Sequence, residues 1–290
     1  MSIPRPVTSL RAIKVRPDRH VELPEHVATE EPMQILLAGP GQQAGPLAVT
    51  MRTPGNDFEL AAGFVLTEGV ASREEIASVD YCEAVDRSDP STRYNHVTVR
   101  LNRSWAPDRE IRYFPASSSC GMCGKATIDQ IETACRRLPP GELFPASLVP
   151  TLPDRLRSAQ KAFDRTGGLH AAGLFDRNGH LCCAREDVGR HNAVDKVVGW
   201  TVLAGMSGPA GRSPSVAPDL SNVALAVSGR VSFEIVQKAA VAGISLIAAV
   251  SAPSSLAVDA AQRLGLTLAA FVRGDTFNVY SHPGRIAFTS

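Results

Sequence analysis

Residues 223–272 read VALAVSGRVSFEIVQKAAVAGISLIAAVSAPSSLAVDAAQRLGLTLAAFV, and this stretch decides the fold. Val223-Ala224-Leu225-Ala226-Val227 is a continuous apolar run, the pattern of a strand buried on both faces of a parallel sheet. Apolar spacing predicts a helix from Ser232 to Ala242, closed by Gly243, and then a second buried strand from Ile244 to Val250. A helix from Ser255 to Leu264, closed by Gly265, and a third strand from Leu266 to Val272 complete the series. Right-handed crossovers make the three strands of such a β-α-β-α-β run parallel neighbours with helices on the sheet faces. Ligands of open α/β sheets bind outside the carboxyl ends of the strands. Three loops occupy that edge: Ser228-Gly229-Arg230, Ser251-Ala252-Pro253-Ser254-Ser255 and Arg273-Gly274-Asp275. Two of them open helix N-termini and supply serine hydroxyls, and two carry arginines, so an anionic, nucleotide-like ligand fits. The plain structural alternative makes the serines helix caps and the arginines surface charge. No GxxxxGK[ST] and no GxGxxG follows a strand, so neither a P-loop nor a dinucleotide-binding turn is indicated.

Upstream of this run, His170 to Phe175 and Leu181 to Ala184 form a hairpin around the turn Asp176-Arg177-Asn178-Gly179. Asn192 reads as the N-cap of a helix whose face carries Val194, Val197, Val198 and Thr201, with Gly205 past its end. Around these elements lie Thr166 to Ala172 and Glu186 to Lys196, rich in polar residues. His170 and His191 are candidate acid/base or orienting groups with Asp187 and Arg190 as partners; for Asp195 and Lys196 the expectation is structural, Asp195 sitting at N3 to complement the helix dipole. Met206 to Asp219, rich in Gly, Pro and Ser, reads as a loop, and a short helix is expected around Leu156.

The chemistry-bearing pair is Ser117-Ser118-Ser119-Cys120-Gly121-Met122-Cys123-Gly124-Lys125. A helix on the spacing of Ile128, Ile131, Cys135 and Leu138 follows, stopped by Pro139-Pro140-Gly141, so a sulfur lies near a helix N-terminus with Lys125 close, both of which favour the thiolate. Three functions compete: nucleophile or sulfur carrier, half of a zinc site, and dithiol redox pair, with a purely structural role beside them. Zinc needs more ligands, and Cys182-Cys183, adjacent on a strand, point to opposite faces. His20-Val21-Glu22 matches the H-x-E of zinc deaminases by letters only, and Ser119 stands where that signature has Pro. No bound metal is expected.

The first half is a smaller α+β unit. Met33 to Leu37 and Leu47 to Met51 flank a turn, Phe58 to Leu66 suits a helix, and His96 to Leu101 alternates as a strand. The division expected is a polar tail or peripheral strand over 1–30, an α+β domain over 31–115, and an α/β domain over 116–290 carrying the cysteine loop. The chain has 290 residues, 44% of them apolar, with 30 Lys+Arg against 29 Asp+Glu and mean hydropathy -0.03. The near-zero charge gives no basic excess for duplex nucleic acid; no apolar run approaches the ~20 residues of a membrane span, and the polar start lacks a signal-peptide centre. A cytoplasmic protein is the expectation.

With these segments in view the chain resembles the formate dehydrogenase accessory sulfurtransferase family, the sulfur carrier proteins that prepare the molybdenum cofactor of formate dehydrogenase. The stretches that carry the resemblance are Met51-Arg52-Thr53-Pro54-Gly55, Leu66-Thr67-Glu68-Gly69, Cys120 to Gly124, Thr166 to Ala172, Glu186 to Lys196, Ser228 to Ala240 and Val250 to Val258. The resemblance implies a core like that of cytidine deaminases without their zinc ligands, a three-layer C-terminal domain, and a homodimer. It implies that a cysteine desulfurase donates persulfide sulfur to Cys120, that Cys123 assists or shares that role, and that sulfur passes to bis(molybdopterin guanine dinucleotide) for formate dehydrogenase. The cofactor contact then falls on Phe271-Val272-Arg273-Gly274-Asp275-Thr276, one of the three loops chosen from topology; Ser228, Gly229, Arg230, Ser254 and His191 are the further expected contacts, and the guanine nucleotide ends of the cofactor supply the anionic groups. The alternatives are a cofactor-binding chaperone without persulfide chemistry and a zinc deaminase-like hydrolase.

Overall fold

A computed structural model describes residues 5–82, 94–106, 137–141, 143–204 and 218–288. In chain order the first half contains β1 (Val7–Arg16), β2 (Arg19–Ala28), β3 (Glu31–Ala38), β4 (Gly45–Arg52), α1 (Asp57–Thr67), β5 (Ile76–Tyr81) and β6 (His96–Leu101). The second contains β7 (Phe144–Pro145), α2 (Leu152–Ala159), α3 (Lys161–Thr166), β8 (His170–Phe175), β9 (Leu181–Asp187), α4 (Arg190–Val202), β10 (Ala224–Val227), α5 (Phe233–Val241), β11 (Leu246–Ala249), α6 (Ser255–Leu264), β12 (Thr267–Arg273), β13 (Thr276–Ser281) and β14 (Ile286–Ala287).

The apolar runs of 223–272 become what their pattern predicts. β10, β11 and β12 pair in parallel at the centre of a six-stranded sheet of order β13-β12-β11-β10-β8-β9, whose outer pairings are antiparallel. Every residue of β10 and β11 is buried, as a strand covered on both faces requires. Leu225, Val227, Ile247, Leu268 and Ala270 face α4, α5 and α6, while Ala224, Ala226, Leu246, Ala248 and Val272 face Phe144, Leu152, Leu156 and Ile286. Ser232 and Gly265 bound α5 and α6, Gly265 adopting the left-handed cap conformation at φ 76° that only glycine enters without strain.

The first half folds as a four-stranded sheet of order β4-β3-β6-β5, with β3 and β6 parallel, on which α1 packs. One buried apolar cluster runs without interruption from Met33, Leu60 and Val97 to Val198, Leu225 and Ile247, joining this unit to the six-stranded sheet through α1 and α4.

Several elements differ from the sequence expectation. Residues 7–28 of the polar tail are an antiparallel hairpin, β1 with β2, packed against α3. Its apolar residues, Leu10, Ile13, Val15 and Val21, are exposed and fall on both faces, so the period-2 signal of a half-buried strand is absent. Strands β5 and β13 were not expected, and β13 makes the third loop of the sheet edge the tip of the β12–β13 hairpin. The boundary at 115, the helix leading to Leu138 and most of the 206–219 loop lie outside the described residues.

Candidate functional site at the C-terminal sheet edge

The three loops are stitched together by backbone hydrogen bonds. The Val231 amide donates to the Ala252 carbonyl at 3.1 Å and the Ser254 amide to the Val231 carbonyl at 2.9 Å, while the Phe271 amide donates to the Ser251 carbonyl at 3.3 Å. Ser228 is committed to the sheet: its hydroxyl accepts from the Ala171 amide at 2.9 Å. Ser254 caps α6 by accepting from the Ala257 amide at 3.2 Å. What remains free to meet a ligand is Arg230, Arg273 and the Phe271 ring, all exposed. Phe271 has φ 52°, a left-handed conformation costly for a bulky residue and held here where the β12–β13 register slips. Gly274, Asp275 and Thr276 form the exposed hairpin tip, with the Thr276 hydroxyl donating to the Arg273 carbonyl at 3.2 Å. Val272 points the other way, into the second apolar cluster.

Beside the first loop stand two imidazoles. His191, the second residue of α4, has Nε2 3.1 Å from the Ser232 hydroxyl and 3.8 Å from a Glu234 carboxylate oxygen. Burial first, then the charges of Arg190 and Lys238, push its pKa down from 6.5 to about 4. His170 opens β8 and is pushed down in the same direction by burial and Arg190. Both are neutral near pH 7. In the unfolded chain His191 titrates near 6.5, so on acidification the unfolded state takes the proton first; the stability held above that pH is lost progressively down to about 4. Thermal melts at about pH 7.5, 5.5 and 4.5 are expected to fall less steeply for His191→Gln than for the wild type, and parallel slopes would contradict the burial described.

Behind this edge, charged side chains lock α1, α4 and the first sheet together. Arg52 is fully buried and donates to Asp57 at 3.0 and 3.3 Å, to Glu31 at 3.1 Å, to the Tyr94 carbonyl at 3.2 Å and to Asn95 at 3.0 Å. Lys196 lies 2.7 Å from Asp187 and donates to the Thr53 carbonyl at 2.9 Å, while Asp187 accepts from the Thr53 amide at 3.2 Å and the Gly189 amide at 2.8 Å. Lys238 reaches Asp195 at 2.9 Å and Glu68 at 2.7 Å, and the Thr67 hydroxyl donates to Asp195 at 2.6 Å. Burial raises the Asp195 carboxyl to about 6. Burial lowers Lys238, but Asp195 and Glu68 together hold it above its ordinary value. These contacts correct the sequence reading of α4. Gly189 is the cap residue, and Asn192, inside the first turn, donates to the Met51 carbonyl at 2.7 Å and to Asp187 at 3.0 Å. Asp195 lies past the first turn of α4 rather than at N3, and both Asp195 and Lys196 are buried members of ion pairs, a structural role for each.

A family model described as the FdhD/NarQ family matches residues 28–287. The chain belongs to the FdhD/NarQ family. Among curated relatives, the sulfur carrier protein FdhD of Streptomyces avermitilis is 48% identical over 284 residues, 96% of this chain and 94% of the relative. That of Mycobacterium tuberculosis is 46% identical over 276 residues, 93% of this chain and 94% of the relative. The fold is similar to the crystal structure of a protein from Desulfotalea psychrophila described as a formate dehydrogenase accessory protein, at TM-score 0.70 and 27% identity, covering 97% of this chain and 99% of that one.

In this FdhD/NarQ chain the segments at Met51–Gly55, Leu66–Gly69 and Glu186–Lys196 meet in the buried ionic lock, although they are far apart in sequence. Sequence reading placed Arg52 and Thr67 in motifs without seeing this role; charge-pair partners leave no periodic signal. Cys120 and Cys123 lie outside the described residues. Of the described cysteines, burial pushes the Cys183 thiol up to about 12 and Cys182 upward as well, so neither offers a thiolate near neutrality. Among the described residues no group of three His, Cys, Asp or Glu side chains is placed to hold a metal ion, and no helix is long and apolar enough to cross a membrane.

Proposed function

We propose that the protein is a sulfur carrier in formate dehydrogenase maturation, taking sulfane sulfur from a cysteine desulfurase and passing it to the molybdenum cofactor. The observation that carries this reading is the match, over nearly the whole chain, to relatives named sulfur carrier protein FdhD. The Cys120-Gly121-Met122-Cys123 sequence supports it, its flanking glycines and Lys125 suiting an accessible thiolate, whereas burial holds Cys182 and Cys183 protonated.

The chemistry asks two things of the pair. The Cys120 thiolate attacks the outer sulfur of the desulfurase persulfide; a new S–S bond forms at Cys120, the old one breaks, and the desulfurase cysteine leaves as thiolate. Attack of Cys123 on the inner sulfur of the Cys120 persulfide then closes a Cys120–Cys123 disulfide and releases hydrosulfide, the two electrons coming from the thiols; a thiol reductant reopens the disulfide. The acceptor is bis(molybdopterin guanine dinucleotide), a substrate whose planar base and phosphates suit the exposed Phe271 ring and the Arg230 and Arg273 forks at the sheet edge. A cytoplasmic homodimer handing the cofactor to formate dehydrogenase completes the reading.

Intact-protein mass spectrometry after incubation with a cysteine desulfurase and cysteine tests it. The wild type and Cys123→Ala are expected to gain one sulfur, Cys123→Ala retaining it longer, and Cys120→Ala to gain none. Absence of any gain in the wild type would replace the carrier with a cofactor-binding chaperone.

A further inference from the structure

The hairpin β1–β2 stands apart from both larger sheets. Its strands pair without a register shift from Val7 with Ala28 to Arg16 with Arg19, and they form a sheet of their own that meets the rest of the chain chiefly at α3. An isolated two-stranded ribbon is marginal in water. This one also leaves Ile13, Val15 and Val21 64%, 76% and 51% exposed.

Its two outer edges differ. The Thr29 amide donates to the Pro6 carbonyl at 3.0 Å, so that pair is hydrogen-bonded. Bonded and non-bonded pairs alternate along an antiparallel ladder, and the unbroken register makes Thr8 with Val27, Leu10 with Glu25, Ala12 with Leu23 and Lys14 with Val21 the next bonded pairs. Pro24, opposite Arg11, falls between them, where the ladder needs no N–H from it. The outer edge of β2 is therefore interrupted at Pro24, as protected edges are. The outer edge of β1 is not. Val7, Ser9, Arg11, Ile13 and Val15 turn their N–H and C=O groups outward there, none of them is proline, and no described strand pairs with them.

The two faces beside that edge differ in chemistry. Ile13 and Val15 lie on one; Lys14 and Arg16 lie on the other, with Arg19 directly opposite Arg16. Like charges directly opposite each other destabilise a ribbon, and Lys14, Arg16 and Arg19 form no ion pair with a described residue. Among the cations of β1 only Arg11 is bridged, to Glu22 at 3.3 Å. A second copy of β1 laid antiparallel on this edge would set the cations of each strand beside those of the other. The charge pattern thus selects against self-pairing and for an acidic strand.

We propose that the open edge of β1 takes an extended segment of a partner protein as a third strand, one in which acidic and apolar residues alternate. Its main chain satisfies the outward amides and carbonyls at Ile13 and Val15. Its acids lie beside Lys14 and Arg16, and its apolar side chains beside Ile13 and Val15 on the opposite face. This docking is independent of the sulfur-carrier reading.

Fluorescence anisotropy of the full chain with a labelled peptide of alternating glutamate and valine, as long as β1, tests it beside a lysine–valine counterpart. The glutamate peptide is expected to bind about tenfold or more tightly than the lysine peptide, and more weakly as salt rises. Ile13→Pro removes an outward N–H and no ladder bond, and it is expected to weaken binding about tenfold or more. The double variant Lys14→Glu/Arg16→Glu leaves the backbone alone and is expected to invert the preference between the peptides. Equal binding of both peptides, binding of neither, or undiminished binding by Ile13→Pro with a wild-type melt would overturn the proposal. So would a dimer in sedimentation equilibrium that Ile13→Pro dissolves, which gives the edge to a second copy. Binding to phosphatidylserine vesicles that the double variant loses, with no peptide bound by the wild type, would give the tip to a membrane surface instead.

Discussion

Replacing Lys196 with methionine is expected to lower the unfolding free energy by about 3–5 kcal/mol, since removing one partner of a buried ion pair strands the other charge. Lys196 is 1% exposed, and its ammonium sits 2.7 Å from Asp187, itself fully buried. Methionine fills nearly the same volume, so lost packing contributes little and the charge left on Asp187 dominates. The amides of Thr53 and Gly189 still donate to Asp187 in the variant, which keeps the loss toward the lower end. Against a total of roughly 5–15 kcal/mol for a folded domain, this is a large fraction. Urea unfolding measures it. The double variant Lys196→Met/Asp187→Asn should recover part of the loss, because the carboxylate no longer needs a counter-charge. A single-variant loss under about 1 kcal/mol would mean that the pair behaves as a solvated surface bridge.

Gly199→Ala is expected to destabilise at least as visibly, and here two effects oppose each other. In an isolated helix alanine is favoured over glycine by about 1 kcal/mol. In α4, however, a Cβ at position 199 would lie 1.7 Å from the Glu59 carbonyl oxygen and 2.8 Å from the Gly63 amide nitrogen, both backbone atoms of α1. The reciprocal position fails in the same way, a Cβ at Gly63 lying 1.8 Å from the Asp195 carbonyl oxygen. No rotamer change relieves a backbone clash, so the helices must separate and the cluster between them loosens, at the upper end of the ~1–3 kcal/mol range for overpacking or beyond it. The steric effect wins. A fall in Tm of several degrees, at ~2–4 °C per kcal/mol for a chain of this size class, is the expected reading; a Tm equal to or above that of the wild type would show that α1 and α4 do not meet through these glycines.

Local pattern carried much of the architecture. The runs around Ala224, Ile247 and Leu268 are apolar without interruption, and burial on both sheet faces leaves that pattern; Ser232, Gly243 and Gly265 mark helix ends because caps are chosen by short-range backbone geometry. The loop edge followed from strand order, and with it Arg230 and Arg273, whereas Phe271 entered only through the family resemblance. The Cys120–Cys123 spacing is likewise a property of sequence. Local pattern was silent on β1 and β2, whose apolar residues never settle on one face, and on β13, whose register slips at Phe271.

The roles of the polar residues belong to tertiary structure. Asp195 and Lys196 carry the local signature of an ordinary helix start, yet Asp195 meets Thr67 128 positions away and Lys196 meets Thr53 143 positions away. Nothing within a helical turn encodes such a partner, because ion pairing has no period and depends only on which chains the fold brings into contact. Local pattern set the central strands, most helices, the loop edge and the cysteine pair; packing decided which charges are structural and that two glycines hold the halves in register.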